Sequence, residues 1–154
     1  MTLSELLLPE LVLIKQNCVS KDGLISVLLD RIYATDRKPP VPREEALRKI
    51  KMREEVGGTL LPSGLSVPHV RLADFEGFNL ALGIPAGPVF DEEGRRVRLM
   101  ALMISNQTGS LWYLPVLKAL TILSRETGYF SRLCAAENYE DFTKILLEKN
   151  PELA

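Results

Sequence analysis

Histidine is almost missing from this chain: His69 is the only one in 154 residues. The two cysteines, Cys18 and Cys134, lie far apart and form no C-x-x-C pair. A zinc site of ordinary spacing and a disulfide scaffold are both excluded, and no metal is expected. Both thiols read as buried and reduced, as in a cytoplasmic protein. Charge of one sign is lacking too, with a formal net charge of -1. No basic field is available to hold nucleic acid or an anionic membrane. No hydrophobic run approaches the length of a transmembrane helix. The apolar start, Leu3 to Ile14, is interrupted by Glu5, Pro9 and Glu10 and has no positive flank, so it does not read as a signal segment. Internal repeats and low-complexity tracts are absent. So are the Walker loop, G-x-G-x-x-G and H-E-x-x-H, and no cofactor is expected. Gly64-Leu-Ser66-Val-Pro68 lacks the last glycine of a G-x-S-x-G elbow, and His69 lies only three residues past the serine. Asp91-Glu92-Glu93 lacks the ligand periodicity of a calcium loop.

What remains is an ordinary globular composition, 46% hydrophobic and 25% charged. The length suits one domain spanning 1–154. Leu11 to Ile14 reads as a short strand. Ser20 is placed to cap a helix carrying Leu24, Ile25, Leu28, Leu29 and Ile32 at helical spacing. A second helix is predicted from about Arg43 to Glu55, with Ala46, Leu47, Ile50 and Val56 on its inner face. Phe78 to Ile84 alternates as a half-covered strand does, and Pro85 to Gly87 ends it. Val89-Phe90 and the turn Asp91 to Gly94 suit a tight hairpin. Val97 to Ile104 is the most apolar strand and is expected to be central. A polar loop, Ser105 to Ser110, follows. A helix starting near Ser110 carries Leu111, Leu114, Leu117, Ala119, Leu120 and Leu123, with Pro115 tolerable in its first turn. Phe130, Leu133 and Cys134 mark a short helix, and Tyr139 to Glu148 a last one with Phe142, Ile145 and Leu146 inward. Helices on both sides of the strands in sequence make a mixed α/β sheet between helices the economical architecture.

The stretch from Arg53 to Arg71 concentrates the chemistry. It holds His69, three of the ten glycines and two of the ten prolines. Pro68 has a locked φ and pushes Val67 into the extended region. Leu65-Ser66-Val67-Pro68 therefore reads as a short strand ending at His69. Gly57-Gly58 and Pro62-Ser63-Gly64 read as turns around a short apolar piece, Thr59 to Leu61. His69 is the one side chain whose ordinary pKa lies near neutrality, so it is the first candidate for nucleophilic or acid–base work. The residues alone equally allow a half-buried histidine bonded to a loop carbonyl. Arg53 alone among the cations of its helix is singled out, although a surface ion pair would also explain it.

Met52-Arg53-Glu54…Gly58-Thr59…Gly64-Leu65-Ser66-Val67-Pro68-His69 resembles the active-site segment of type-2 enzyme IIA domains. These belong to the bacterial phosphoenolpyruvate-dependent phosphotransferase system, in its mannitol/fructose and nitrogen-type branches. Val89-Phe90-Asp91…Gly94…Val97 is similar to the family's hairpin. Leu114…Leu117…Leu120 sits where the family places its "H-L-x-x-L" helix, and Leu133 to Phe142 resembles its finish. The resemblance covers nearly the whole chain.

It implies a five-stranded mixed sheet with helices on both faces. It implies a phosphocarrier in which His69 takes a phosphoryl group from an HPr-like protein and passes it on, with Nε2 the favoured nitrogen. Enzyme IIB or a regulated protein is the implied recipient. With neither a permease domain nor a IIB segment in the sequence, a regulatory, nitrogen-type role is expected. Arg53 matches the family's arginine, and its planar fork suits phosphoryl oxygens. Tyr113 stands where the family carries a second histidine; its hydroxyl can donate to phosphate but does not exchange a proton at pH 7 as imidazole does. Val70 replaces a usual glycine and is expected to crowd a docking carrier. Trp112 and Tyr113 motivate the alternative, a non-catalytic regulatory module that binds partner proteins.

Overall fold

The computed structural model describes residues 1–106 and 111–153. A short helix α1 (Leu3–Leu6) and a 3-10 turn (Pro9–Leu11) lead into β1 (Val12–Gln16). Helix α2 (Lys21–Tyr33) starts where the Ser20 hydroxyl accepts from the Gly23 N–H at 2.9 Å. That bond satisfies one of the otherwise unpaired donors of the first turn. Helix α3 (Arg43–Val56) follows Pro42. Then come β2 (Leu65–Ser66), β3 (His69–Leu72), β4 (Asn79–Pro85) and β5 (Leu99–Asn106). Helices α4 (Tyr113–Arg125), α5 (Thr127–Cys134) and α6 (Tyr139–Leu146) complete the chain.

The five strands form one mixed sheet. β4 pairs parallel with β1 and antiparallel with β5, while β2 and β3 both pair parallel with β5. The most apolar strand is thus central, as its composition demands. Its side chains alternate between two cores. Leu99, Ala101 and Met103 join α4, α5 and α6 on one face; Met100, Leu102 and Ile104 join α2 and α3 on the other.

Several sequence expectations need correction. β4 is buried on both faces, not half-covered. Its larger residues Leu80, Leu82 and Ile84 meet the α4–α6 core, and the small residues between them admit α2. At Gly83 a Cβ would lie 2.9 Å from a methyl of Leu28, so the close approach of α2 requires glycine. The extended segment does not end at His69; His69 opens β3, after Val67-Pro68 interrupts an otherwise continuous register against β5. Ser105 belongs to β5 rather than to a loop. The expected helix start at Ser110, like the rest of 107–110, lies outside the described residues. Val56, at 86% exposure, is not on the inner face of α3. Leu111 and Leu114, 89% and 67% exposed, are not on the inner face of α4. Cys18 and Cys134 are free thiols and only partly buried. Among the described residues no helix is long and apolar enough to cross a membrane.

Candidate functional site

The site is assembled by strand period and parallel register. Along β3 the side chains alternate: Val70 and Leu72 enter the α2–α3 core, which leaves His69 and Arg71 on the α4 side. Val70 is therefore buried on the face opposite His69 and does not crowd its approach, contrary to the expectation from sequence. His69 is opposite Met103 in the parallel ladder and Arg71 is opposite Ser105. Residues two apart share a face, so the Ser105 hydroxyl comes beside the imidazole, and His69 Nε2 and Ser105 Oγ are hydrogen-bonded at 2.8 Å. Ser105 is fully buried.

The upstream hairpin aims this strand. Leu61 N–H donates to the Leu65 carbonyl at 2.8 Å, and Val67 N–H to the Thr59 carbonyl at 3.2 Å. The turn between them needs Gly64, whose φ of +95° is strained for any residue with a Cβ. Pro68 carries no N–H, but its carbonyl accepts from Met103 N–H at 2.9 Å, so the ladder resumes one residue before the histidine.

Tyr113, the first residue of α4, stacks on His69. The ring centroids are 3.8 Å apart and the planes 14° from parallel. The contact is through the ring face, whereas the sequence reading assigned the role to the hydroxyl. Arg53 lies in the last turn of α3 and donates from Nη1 to the Gly57 carbonyl at 3.1 Å. It makes no described hydrogen bond to the His69 ring, yet its charge reaches it. Arg71, two residues along β3, acts likewise, and sequence reasoning gave it no role. Period-two alternation from His69 would have found Arg71. Nothing local to residues 105 and 69 signals Ser105, because only the parallel pairing brings them together.

Burial of the ring, then the charge of Arg71, then that of Arg53, hold the His69 pKa down at about 4, from an ordinary 6.5. All three oppose protonation, since desolvation and neighbouring cations both disfavour imidazolium. The imidazole is neutral throughout the physiological range, which keeps a lone pair on the ring. The fold binds this proton less tightly than the unfolded chain does. His69 therefore contributes stability that is fully present above about pH 6.5 and lost as pH falls towards 4. The loss has a ceiling of about 3 kcal/mol, reduced by water at the ring's exposed edge. An NMR titration is expected to place the His69 midpoint near 4. Urea unfolding between pH 7 and 4 should show wild type losing more stability than His69→Gln.

A cleft of about 420 Å³ lies between α3, the Gly57-Gly58 turn and the 91–95 hairpin. Its wall holds a buried ion pair, Lys21 Nζ to Glu54 Oε1 at 3.5 Å, with the side chains 8% and 6% exposed. The Thr59 hydroxyl donates to the same carboxylate at 3.0 Å, and Lys21 also reaches Glu92 at 3.4 Å. Glu54 thus ties the end of α3, and Arg53 with it, to the start of α2.

A mixed sheet with helices on both faces, carrying one half-buried, ring-stacked histidine within the field of Arg53 and Arg71, defines an α/β domain with a single imidazole. Residues 5–149 match the family described as phosphoenolpyruvate-dependent sugar phosphotransferase system, EIIA 2, and the chain belongs to it. Domains of this family are phosphotransfer components. The fold is similar to that of the nitrogen regulatory protein IIA-Ntr from Neisseria meningitidis, with a TM-score of 0.79 at 21% identity over 92% of this chain and 97% of that one. It is also similar to IIA mannitol from Escherichia coli, with a TM-score of 0.70 at 18% identity over 91% and 98%. The Escherichia coli enzyme IIA in complex with phosphorylated enzyme IIB, both mannitol-specific, aligns with a TM-score of 0.73 at 15% identity over 92% and 97%. Comparison with curated proteins gave no match.

Proposed function

We propose that this chain is a cytoplasmic phosphocarrier, one domain over 1–154, in which His69 accepts a phosphoryl group from the phosphohistidine of an HPr-like protein. One observation carries the reading: the only imidazole is neutral, half-buried, held by Ser105 and Tyr113, and sits in the field of Arg53 and Arg71. Phosphoryl transfer asks for little more than an in-line nucleophile and positive charge near the equatorial oxygens. The hydrogen bond of Arg53 to the Gly57 carbonyl is solvent-exposed and readily exchanged for phosphoryl oxygens. The onward recipient is an enzyme IIB or a regulated protein. The likeness to a nitrogen regulatory IIA supports the regulatory assignment over a sugar-permease chain.

Incubation with phosphoenolpyruvate, enzyme I and an HPr-like carrier is expected to give one acid-labile, base-stable label per chain. No label with any cognate carrier rejects the proposal and leaves the non-catalytic, partner-binding module. Tyr113 is the specific reason to keep that second reading, since a phenol stacks on His69 where the family has imidazole. Tyr113→His is expected to speed labelling about tenfold by restoring a group able to share a proton with the phosphoryl oxygens. An unchanged rate would reduce Tyr113 to packing.

A further inference from the structure

We infer that the arginine-lined groove beside the start of β5 binds a small organic phosphate, at a place separate from His69. The inference does not depend on the phosphocarrier reading.

Two cavities of about 480 and 360 Å³ meet here and share a wall of Leu61, Pro62, Ser63 and Arg98. Arg125, at the end of α4, lines the larger cavity, and Arg95 and Arg96 line the smaller. Among the described residues no carboxylate lines either one, although the chain holds 20 acidic residues. Arg95 is paired with Asp91 at 2.9 Å. The side chains of Arg96 and Arg125 are exposed and make no hydrogen bond or ion pair among the described residues.

Arg98 is built into the shared wall. Its stem packs on Gly64, where a Cβ would lie 2.6 Å from Arg98 Cγ. Its guanidinium sits 5.4 Å from the centroid of the Phe130 ring, and Nη2 donates to the Ser131 hydroxyl at 3.0 Å. Ring and hydroxyl hold the planar group in place without bringing a negative charge to it. A guanidinium carries five N–H donors, so most are left for a ligand. A lone exposed arginine is ordinarily just solvated. Here three without a carboxylate partner line one groove, and one of them is fixed and half-buried, an arrangement that an anion relieves.

The fork of Arg98 matches the oxygens of a phosphoryl group. The larger cavity falls within the range of about 300–1,000 Å³ usual for small-molecule sites, so it holds more than a bare phosphate. Leu61 and Pro62 give an organic body an apolar wall to lie on. The ladder keeps this groove away from the imidazole. Leu99 is opposite Leu65 beside the groove, and Met103, four residues on, is opposite His69. At about 3.3 Å per residue the two places are about 13 Å apart along β5. An occupied groove therefore leaves His69 open to a partner.

Titration of the ¹⁵N-labelled full chain in 0.15 M salt with fructose 1,6-bisphosphate, glucose 6-phosphate, inorganic phosphate and citrate, followed by amide ¹H–¹⁵N shifts, tests the inference. A sugar phosphate is expected to bind with a Kd below about 1 mM and to shift the amides of Ser63, Gly64, Arg98 and Phe130. Inorganic phosphate is expected to bind about tenfold more weakly, because it leaves the apolar wall uncovered. Arg96→Gln and Arg125→Gln change exposed side chains, and each is expected to weaken binding about tenfold. Arg98→Lys keeps the charge, removes the fork and is expected to weaken binding at least as much. His69→Gln is expected to bind as wild type does. A Kd above about 1 mM for both sugar phosphates, or shifts confined to the surroundings of His69, overturns the inference. Citrate binding as tightly as the bisphosphate overturns the choice of phosphate. Unchanged affinity in both Arg96→Gln and Arg125→Gln overturns the assignment to this groove. Groove binding in a chain that no carrier labels would reject the phosphocarrier reading alone.

Discussion

His69→Ala is expected to abolish phosphoryl labelling entirely, while leaving the chain folded. No other imidazole exists to take over the group. The serine and carboxylate side chains offer no equivalent: Ser105 is buried and hydrogen-bonded to the edge of the ring, and Glu54 is committed to Lys21 and Thr59. The loss should therefore exceed a thousandfold, at the limit of detection, as for removal of a nucleophile rather than of a helper. Stability should move far less. The ring is half-buried and its hydrogen bond to Ser105 is worth about 1 kcal/mol. Truncation also leaves the Tyr113 face without its stacking partner, a further contribution of about 1 kcal/mol. Circular dichroism and urea unfolding at pH 7 separate the two effects. Residual label above background in the folded variant would mean that another residue carries the phosphoryl group.

Glu54→Ala is expected to be the most damaging single change to the architecture around the site. It leaves the Lys21 ammonium at 8% exposure without its buried partner, and only the solvent-exposed Glu92 remains to face it. Breaking a buried pair from one side costs about 3–5 kcal/mol, because a desolvated charge is left behind. The Thr59 hydroxyl loses its acceptor as well. The double change Glu54→Leu with Lys21→Met should recover most of that stability, since two apolar chains of similar size avoid the desolvation cost. Urea midpoints for the single and double variants check this. Recovery of stability without recovery of labelling would show that the pair also matters through Arg53, which shares the last turn of α3 with Glu54. Equal stability of wild type and Glu54→Ala would mean that Glu92 alone suffices for Lys21.

Much of the site was legible before any fold. The lone histidine, the Pro68 that precedes it and the arginine sixteen residues earlier are local facts of the chain. So are the Ser20 cap of α2 and the apolar run that became the central strand. Arg71 was equally accessible, because strand alternation puts residues 69 and 71 on one face. The errors fall where a residue's surroundings come from elsewhere in the chain. β4 alternates in residue size, and that pattern marks a polar face only when one side meets water; here α2 covers it through Gly83. Leu111 and Leu114 fit the apolar periodicity of α4 yet stay exposed.

The amino-acid order determined which atoms are available for chemistry: one imidazole, a guanidinium near it, and a backbone that proline and glycine hold extended and then turned. Tertiary structure decided how that imidazole behaves. The parallel pairing of β3 with β5 delivers Ser105 to one edge of the ring, and the start of α4 delivers the face of Tyr113. Their burial of the ring, with two cations in range, makes it neutral at every physiological pH. Protonation equilibria and tautomers depend on distances between residues far apart in sequence, and those distances exist only once the sheet has closed.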